Sequence, residues 1–260
     1  MFTENKGLSF ERLWRGPAGF LFPSRCLACD DRPVEQLFRG GVCADCWISL
    51  PPLDPCRCVS CDETLFAEDA SCCGRCLLAP PEFTSLRAAA PYRAAARGVL
   101  LAFKFRGADY LAPRLAEVMA RRLPRPDGVD EVVAVPARQS AAGNYRPAAL
   151  LGAAVAKALG KPFVPGRLEK VRQTRRQSGL PLEARAANVR GAFRARRSAA
   201  GVLLVDDVAT SGATARECAR VLTAAGSESV AVWCFARASR SDVTDFEFRN
   251  SDFEFGEGAP

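Results

Sequence analysis

Residues 202–215 read VLLVDDVATSGATA, and the fold follows from them. Val202 to Val205 are four apolar residues in a row, the pattern of a strand buried on both faces. Two acids follow, Asp206 and Asp207, then a Thr/Ser/Gly-rich turn that opens a helix. A strand that delivers such a turn to a helix belongs to an open α/β sheet, whose ligands gather at the carboxyl ends of the strands. The carboxylates of Asp206 and Asp207 suit vicinal sugar hydroxyls, which donate well to charged acceptors. Thr210, Ser211, Gly212, Ala213 and Thr214 offer hydroxyls and backbone N–H groups at a positive helix end, which suits a phosphate monoester. In a plainer reading the same acids and hydroxyls only cap the helix. Neither Gly-x-x-x-x-Gly-Lys-Ser/Thr nor Gly-x-Gly-x-x-Gly occurs, so triphosphatase and dinucleotide readings lose their main support.

Outward from this stretch the chain alternates between helical and strand patterns. LAPRLAEVMARRL at 111–123 repeats its apolar residues at helical spacing, and EVVAV at 131–135 is a short apolar strand. PAALLGAAVAKAL at 147–159 predicts a helix with proline at its first position. A helix over 213–225 ends at Gly226, and SVAVWC at 229–234 is another strand. Strands separated by helices of this length predict an α/β fold, a parallel sheet flanked by helices.

The N-terminal third is different. Ten of the twelve cysteines lie between Cys26 and Cys76, as the pairs Cys26/Cys29, Cys43/Cys46, Cys58/Cys61 and Cys73/Cys76 plus Cys56 and Cys72. Two cysteines three apart reach one metal from a tight knuckle, and two knuckles complete the four soft thiolates that zinc prefers. Two structural zinc ions are expected, held by a small all-cysteine module over 1–82. Consecutive pairing closes the shorter loops and costs less entropy than cross-bracing, which stays open as an alternative. Iron–sulfur ligation and a disulfide scaffold are weaker alternatives. Cys56 and Cys72 could substitute for a neighbour in the second quartet. Cys218 and Cys234 lie in apolar segments and read as small buried hydrophobes.

There is no histidine in the 260 residues. This excludes Ser-His-Asp and Cys-His catalysis and any imidazole metal site. Hydrophobic residues make up 48% of the chain and charged residues 25%, enough apolar mass for a sizeable core. No run approaches the ~18 apolar residues of a membrane span, and the charged N-terminus lacks the core of a secretory signal. A cytoplasmic protein without a transmembrane segment is expected. The formal charge of +7 hides a division: residues 1–85 carry 8 basic and 12 acidic side chains, 86–238 carry 26 and 11, and 239–260 carry 2 and 6. Three parts are expected, 1–82, 83–238 and an acidic-aromatic tail over 239–260 that repeats Asp-Phe-Glu-Phe at 245–248 and 252–255.

The segment VLLVDDVATSGAT resembles the phosphoribosyl-pyrophosphate signature of type I phosphoribosyltransferases, with Ser211 in place of a second threonine. The whole order of motifs resembles one branch of them, the ComF competence proteins. It comprises Cys-x-x-Cys knuckles, Pro80-Pro81, Leu101-x-Phe103-Lys104-Phe105-x-Gly107 and VPAR at 135–138. Thr174-x-x-Gln177-x-x-Leu180, Arg185-x-x-Asn188 and Phe193 then precede the signature. Where that family usually carries Arg-Gly-Phe/Tyr-Asn-Gln, this chain has Gly143-Asn144-Tyr145-Arg146-Pro147, and only the aromatic matches.

The resemblance implies that Asp206 and Asp207 hold the ribose hydroxyls and Thr210–Thr214 the 5-phosphate of phosphoribosyl pyrophosphate, with magnesium bridging pyrophosphate and ribose. Ala137-Arg138 would be the pyrophosphate loop, and Lys104 and Arg138 the candidate cations, although Lys104 also reads as a solvated amine. It further implies a role in natural transformation, handling single-stranded DNA beside the DNA-uptake machinery. The alternative is a working transferase acting on a nucleobase or related acceptor. Residues 167–197 hold ten basic side chains against Glu169 and Glu183. In phosphoribosyltransferases a flexible substrate loop lies roughly here. A nucleic-acid track would use the same cations, with Arg172, Arg175 and Arg176 as its candidates. A solvated basic face is the third reading.

Overall fold

A computed structural model describes residues 25–31, 41–67, 69–136, 146–175 and 180–239. Six strands are seen: β1 (Ser85–Pro91), β2 (Glu131–Ala134), β3 (Leu168–Lys170), β4 (Phe193–Ala195), β5 (Gly201–Ala209) and β6 (Ser229–Arg237). The helices are α1 (Ala44–Ile48), α2 (Gly74–Leu78), α3 (Ala94–Phe105), α4 (Ala112–Arg122), α5 (Pro147–Leu159), α6 (Leu182–Val189) and α7 (Ala213–Ala224). Four strands form a parallel sheet in the order β1-β6-β5-β2, with Val202 opposite Val230 and Asp206 opposite Cys234. β3 and β4 form a separate antiparallel pair.

The alternation of side chains along the strands builds two cores. Val132, Leu203, Val205, Ala231, Trp233 and Phe235 face α3, α4 and α5. Val133, Val202, Leu204, Val230, Val232 and Cys234 face α7 and the β3–β4 pair. The cysteine segments divide between the cores: Cys26, Cys43 and Cys46 pack into the first, and Cys58, Cys61 and Cys76 into the second. One close approach fixes the first of these docks. A Cβ on Gly98, in the middle of α3, would meet the carbonyl oxygen of Ala28 at 2.3 Å, so the knuckle backbone lies where any other side chain would begin.

α5 starts with Pro147 at its first position and stops at Gly160, whose φ of +65° makes a left-handed cap. β5 is longer than the apolar run predicts. The expected strand 202–205 extends to Ala209, so Asp206 and Asp207 sit inside it, because β6 itself runs on to Arg237 and keeps pairing with it. Arg138, Arg176, Gln177, residues 143–145 and the tail from 240 on lie outside the described residues. Among the described residues, no helix is long and apolar enough to cross a membrane.

Candidate functional site

The carboxyl end of β5 carries the acids, and α3 brings a cation to them. Lys104 Nζ lies 2.9 Å from Asp207 Oδ1. Burial pulls the Lys104 ammonium down, but the carboxylate of Asp207 outweighs it and holds the amine charged. Lys104 is therefore an ion-paired group inside the site, which excludes its reading as a free surface amine. Asp207 also accepts from the N–H of Val208 at 2.7 Å, and Asp206 accepts from the N–H of Asp207 at 2.9 Å. Asp206 has the harder position. Burial, then the neighbouring charge of Asp207, pushes its carboxyl up to about 8. Tyr92, buried beside Lys104 and Asp207, has its phenol raised by burial.

Beyond Ala209 the chain turns through Thr210–Gly212 into α7. Gly212 sits at the helix cap with φ +73°, a conformation that costs glycine least. Ser211 is buried, and its hydroxyl accepts from the N–H of Ala213 at 3.3 Å. A small pocket is lined by Asp206 and by Thr210, Ser211, Gly212, Ala213 and Thr214, together with core residues such as Leu86, Val232 and Cys234. The fold thus gathers six of the sequence candidates around one hollow at the start of a twelve-residue helix, while Asp207 and Lys104 are not in its lining. The first-turn N–H groups of that helix have no partners within it and face an incoming anion favourably.

Three arginines that sequence reasoning did not single out surround this turn. Arg75 Nη1 donates to the carbonyl of Ser211. Arg237, buried at the end of β6, donates to the carbonyl of Thr210 and pairs with Glu63. Arg216 reaches from the first turn of α7 to Cys76 Sγ at 3.0 Å and to the Ala79 carbonyl at 2.6 Å. The visible signal was Arg75 between Cys73 and Cys76, a cation inside a ligand knuckle. A cavity of about 760 Å³ opens beside it, lined among others by Leu65, Phe66, Arg75, Arg93 and Arg237.

The ligand atoms of Cys26, Cys29, Cys43 and Cys46 all lie within 4.8 Å of one another, as do those of Cys58, Cys61, Cys73 and Cys76. The pairing is therefore consecutive rather than cross-braced. Four sulfurs in each group suit a soft metal, and in each group backbone N–H groups favour one thiolate, while burial pushes Cys43, Cys46, Cys61 and Cys76 up. For Cys26, burial is outweighed by N–H donors from Cys43 and Ala28 at 3.2 and 3.4 Å, which bring it down to about 7. For Cys58, burial is likewise outweighed by the N–H groups of Cys73, Cys61 and Ser60, which bring it to about 6. Cys72 Sγ lies 3.6 Å from Cys58 Sγ, although Cys72 is not one of the quartet. Cys218 and Cys234 are buried core residues whose thiols burial pushes up.

The basic segment is largely engaged with the protein itself. Arg172 donates to the carbonyls of Asn188 and Arg190 at 2.9 and 2.8 Å, clasping the end of α6. Asn188 is tied to the backbone of Arg175 in both directions. Arg194 and Arg196 both pair with Glu169, and Arg167 pairs with Glu131.

A parallel α/β sheet with an acidic pair and a hydroxyl-rich turn at one strand end, joined to two four-cysteine groups, defines a phosphoribosyltransferase-like protein with metal-ligand knuckles. No family model matches the chain, but curated relatives do. A DNA utilization protein YhgH of Salmonella typhi is 33% identical over 178 residues, 64% of this chain and 77% of that protein. Its counterpart in Salmonella typhimurium is 31% identical over 225 residues, 83% and 97% of the two chains. Competence protein F of Haemophilus influenzae is 26% identical over 231 residues, 84% and 98%. The chain belongs to this ComF family of competence and DNA utilization proteins. Among solved structures, the glutamine phosphoribosylpyrophosphate amidotransferase of B. subtilis is similar with a TM-score of 0.34 and 23% identity, covering 49% of this chain and 26% of that one. Adenine phosphoribosyltransferase of Saccharomyces cerevisiae is similar with a TM-score of 0.32 and 20% identity, covering 62% and 81%.

Proposed function

We infer that this protein serves DNA uptake or use in the cytoplasm, binding phosphoribosyl pyrophosphate at Asp206–Thr214 and single-stranded DNA on its basic body. The observation that carries the first part is the shared hollow: Asp206 and the whole Thr210–Thr214 turn line one pocket, while Lys104 balances Asp207. Magnesium would come with the ligand and neutralise its pyrophosphate. Arg138 is the proposed second cation. The two cysteine quartets would hold structural zinc. Calorimetry with phosphoribosyl pyrophosphate and magnesium tests the site. Asp206→Asn with Asp207→Asn should weaken binding at least tenfold, because a charged acceptor to a hydroxyl is worth more than a neutral one. Unchanged affinity refutes the assignment.

DNA binding is supported by the YhgH and competence relatives and by the net charge of residues 86–238, 26 basic against 11 acidic. Arg172 is better left intact in its test, since it holds the end of α6. Arg175→Ala with Arg176→Ala should weaken all single-stranded sequences alike and flatten the salt slope by roughly 0.7 per lost phosphate contact. A double variant that keeps both affinity and slope assigns these residues to a solvated face or a substrate loop. One observation favours the second reading, transfer to an acceptor. The cavity beside Arg75 reaches Pro91 and Arg237 at the carboxyl ends of β1 and β6, room enough for a small heterocycle. Turnover against an acceptor panel decides between them.

A further inference from the structure

We propose that the second cysteine quartet and the phosphate turn are one coupled unit, in which metal held by Cys58, Cys61, Cys73 and Cys76 positions Ser211 and Gly212 through Arg75. The proposal rests on the sugar-phosphate reading of that turn and goes beyond it, because it makes Arg75 and Arg237 positioning residues for the bound phosphate.

The connection can be followed atom by atom. Cys73 caps α2 and Cys76 lies within it, so Arg75 stands between two ligands of the same cluster. Its guanidinium donates to the Ser211 carbonyl. Arg237 donates to the carbonyl one residue earlier, Thr210, while pairing with Glu63, two residues after the ligand Cys61. In a planar trans peptide the C=O and the following N–H point in opposite directions. Holding the Thr210 and Ser211 carbonyls toward the cysteine cluster therefore turns the N–H groups of Ser211 and Gly212 the other way. Donors aimed together in this manner form a concave anion site.

The return connection is Arg216. Its backbone N–H bonds Gly212 O at 2.9 Å, so it belongs to the first turn of α7. Its side chain reaches Cys76 Sγ at 3.0 Å and Ala79 O at 2.6 Å, and its guanidinium lies 5.9 Å from the centre of the Phe83 ring. A tetrathiolate around a divalent ion carries net negative charge, and the hydrogen bond to Cys76 offsets part of it. The same helix start is thus tied to the cluster at both ends of the turn. The first quartet packs elsewhere, against α3 and the first core.

Coupling of this kind is reciprocal, so the ligand must tighten the metal as much as the metal tightens the ligand. The test uses the full chain loaded with two zinc ions. Zinc release to a chromogenic chelator is timed with and without saturating phosphoribosyl pyrophosphate and magnesium, and ligand affinity is measured by calorimetry. The expected result is that ligand slows release of one of the two ions at least fivefold. Arg75→Ala should lower affinity about tenfold and abolish that protection while still binding two zinc ions, which shows that the knuckle is intact. Arg75→Lys, which keeps a donor, should restore part of both. Arg106→Ala, which removes a contact to Leu27 O at the first knuckle, should change neither. Equal release rates with and without bound ligand, or full affinity in Arg75→Ala, overturn the coupling alone. Absence of binding by the unaltered protein overturns the site itself, and the coupling falls with it.

Discussion

Asp206 holds its place in the fold most easily with a proton. Its carboxyl sits at about 8 in the folded protein against an ordinary 3.8. Below pH 4 both the folded and unfolded chains carry that proton; between 4 and 8 only the folded chain keeps it. Stability should therefore fall as pH rises from about 4 to 8 and level off above, because the unfolded chain then binds fewer protons. Denaturant titrations across that range check the slope, and Asp206→Asn should flatten it. Sugar hydroxyls prefer a carboxylate, so affinity for phosphoribosyl pyrophosphate should move the other way, rising toward pH 8 with proton release on binding. Lys104→Met should deepen the problem, leaving Asp207 buried without its cation at a cost of about 3–5 kcal/mol. The acids and the turn were legible as letters. Lys104 was legible only as a motif residue, since nothing local shows that α3 crosses to the end of β5. The contacts that Arg75 and Arg237 make to the turn were not legible. Arg75 meets Ser211 across 136 positions, and no spacing rule reaches that far.

At the scale of elements, the sequence shows what is periodic and misses what only its neighbours define. α5, α7, β5 and β6 stand out because length, apolar pattern and flanking glycine or proline agree. β1 reads SLRAAAP, and alanine has little preference for a strand. It is a strand because β6 offers a paired edge along its whole length. α3 is interrupted at its centre by Gly98, which lowers its local helical preference. That glycine is there for the knuckle. Gly98→Ala would favour an isolated helix, yet in the folded protein its Cβ meets backbone 2.3 Å away. We expect a net loss of about 1–3 kcal/mol, read as a lower denaturation midpoint, and faster loss of metal from the first quartet only. The consecutive pairing of the knuckles was legible from loop length, but which core each would enter was not.

For the molecule as a whole, the two proposed metal sites should fail separately. Trp47 lies in α1 beside the ligand Cys46, with Arg114 5.7 Å from its ring, whereas Trp233 is buried in the sheet. With fluorinated tryptophan, strong chelation should move the Trp47 resonance and leave that of Trp233 in place, because thiolate sites supply the folding energy of their own knuckles. If both move together, the metals hold the entire fold. The order β1-β6-β5-β2 has a consequence at another stage of the protein's life, its synthesis. Among the described strands of this sheet, the first made, β1, must wait for the last, β6, which is inserted at the centre between β1 and β5. Until Arg237 has left the ribosome, two strand edges stand open to wrong partners. The cysteine knuckles, closed by short loops, can load metal long before the surfaces they dock on exist. With metal in its knuckles as proposed, the protein is most vulnerable to a shortage of metal or of holding chaperones while it is being made rather than while it is at work.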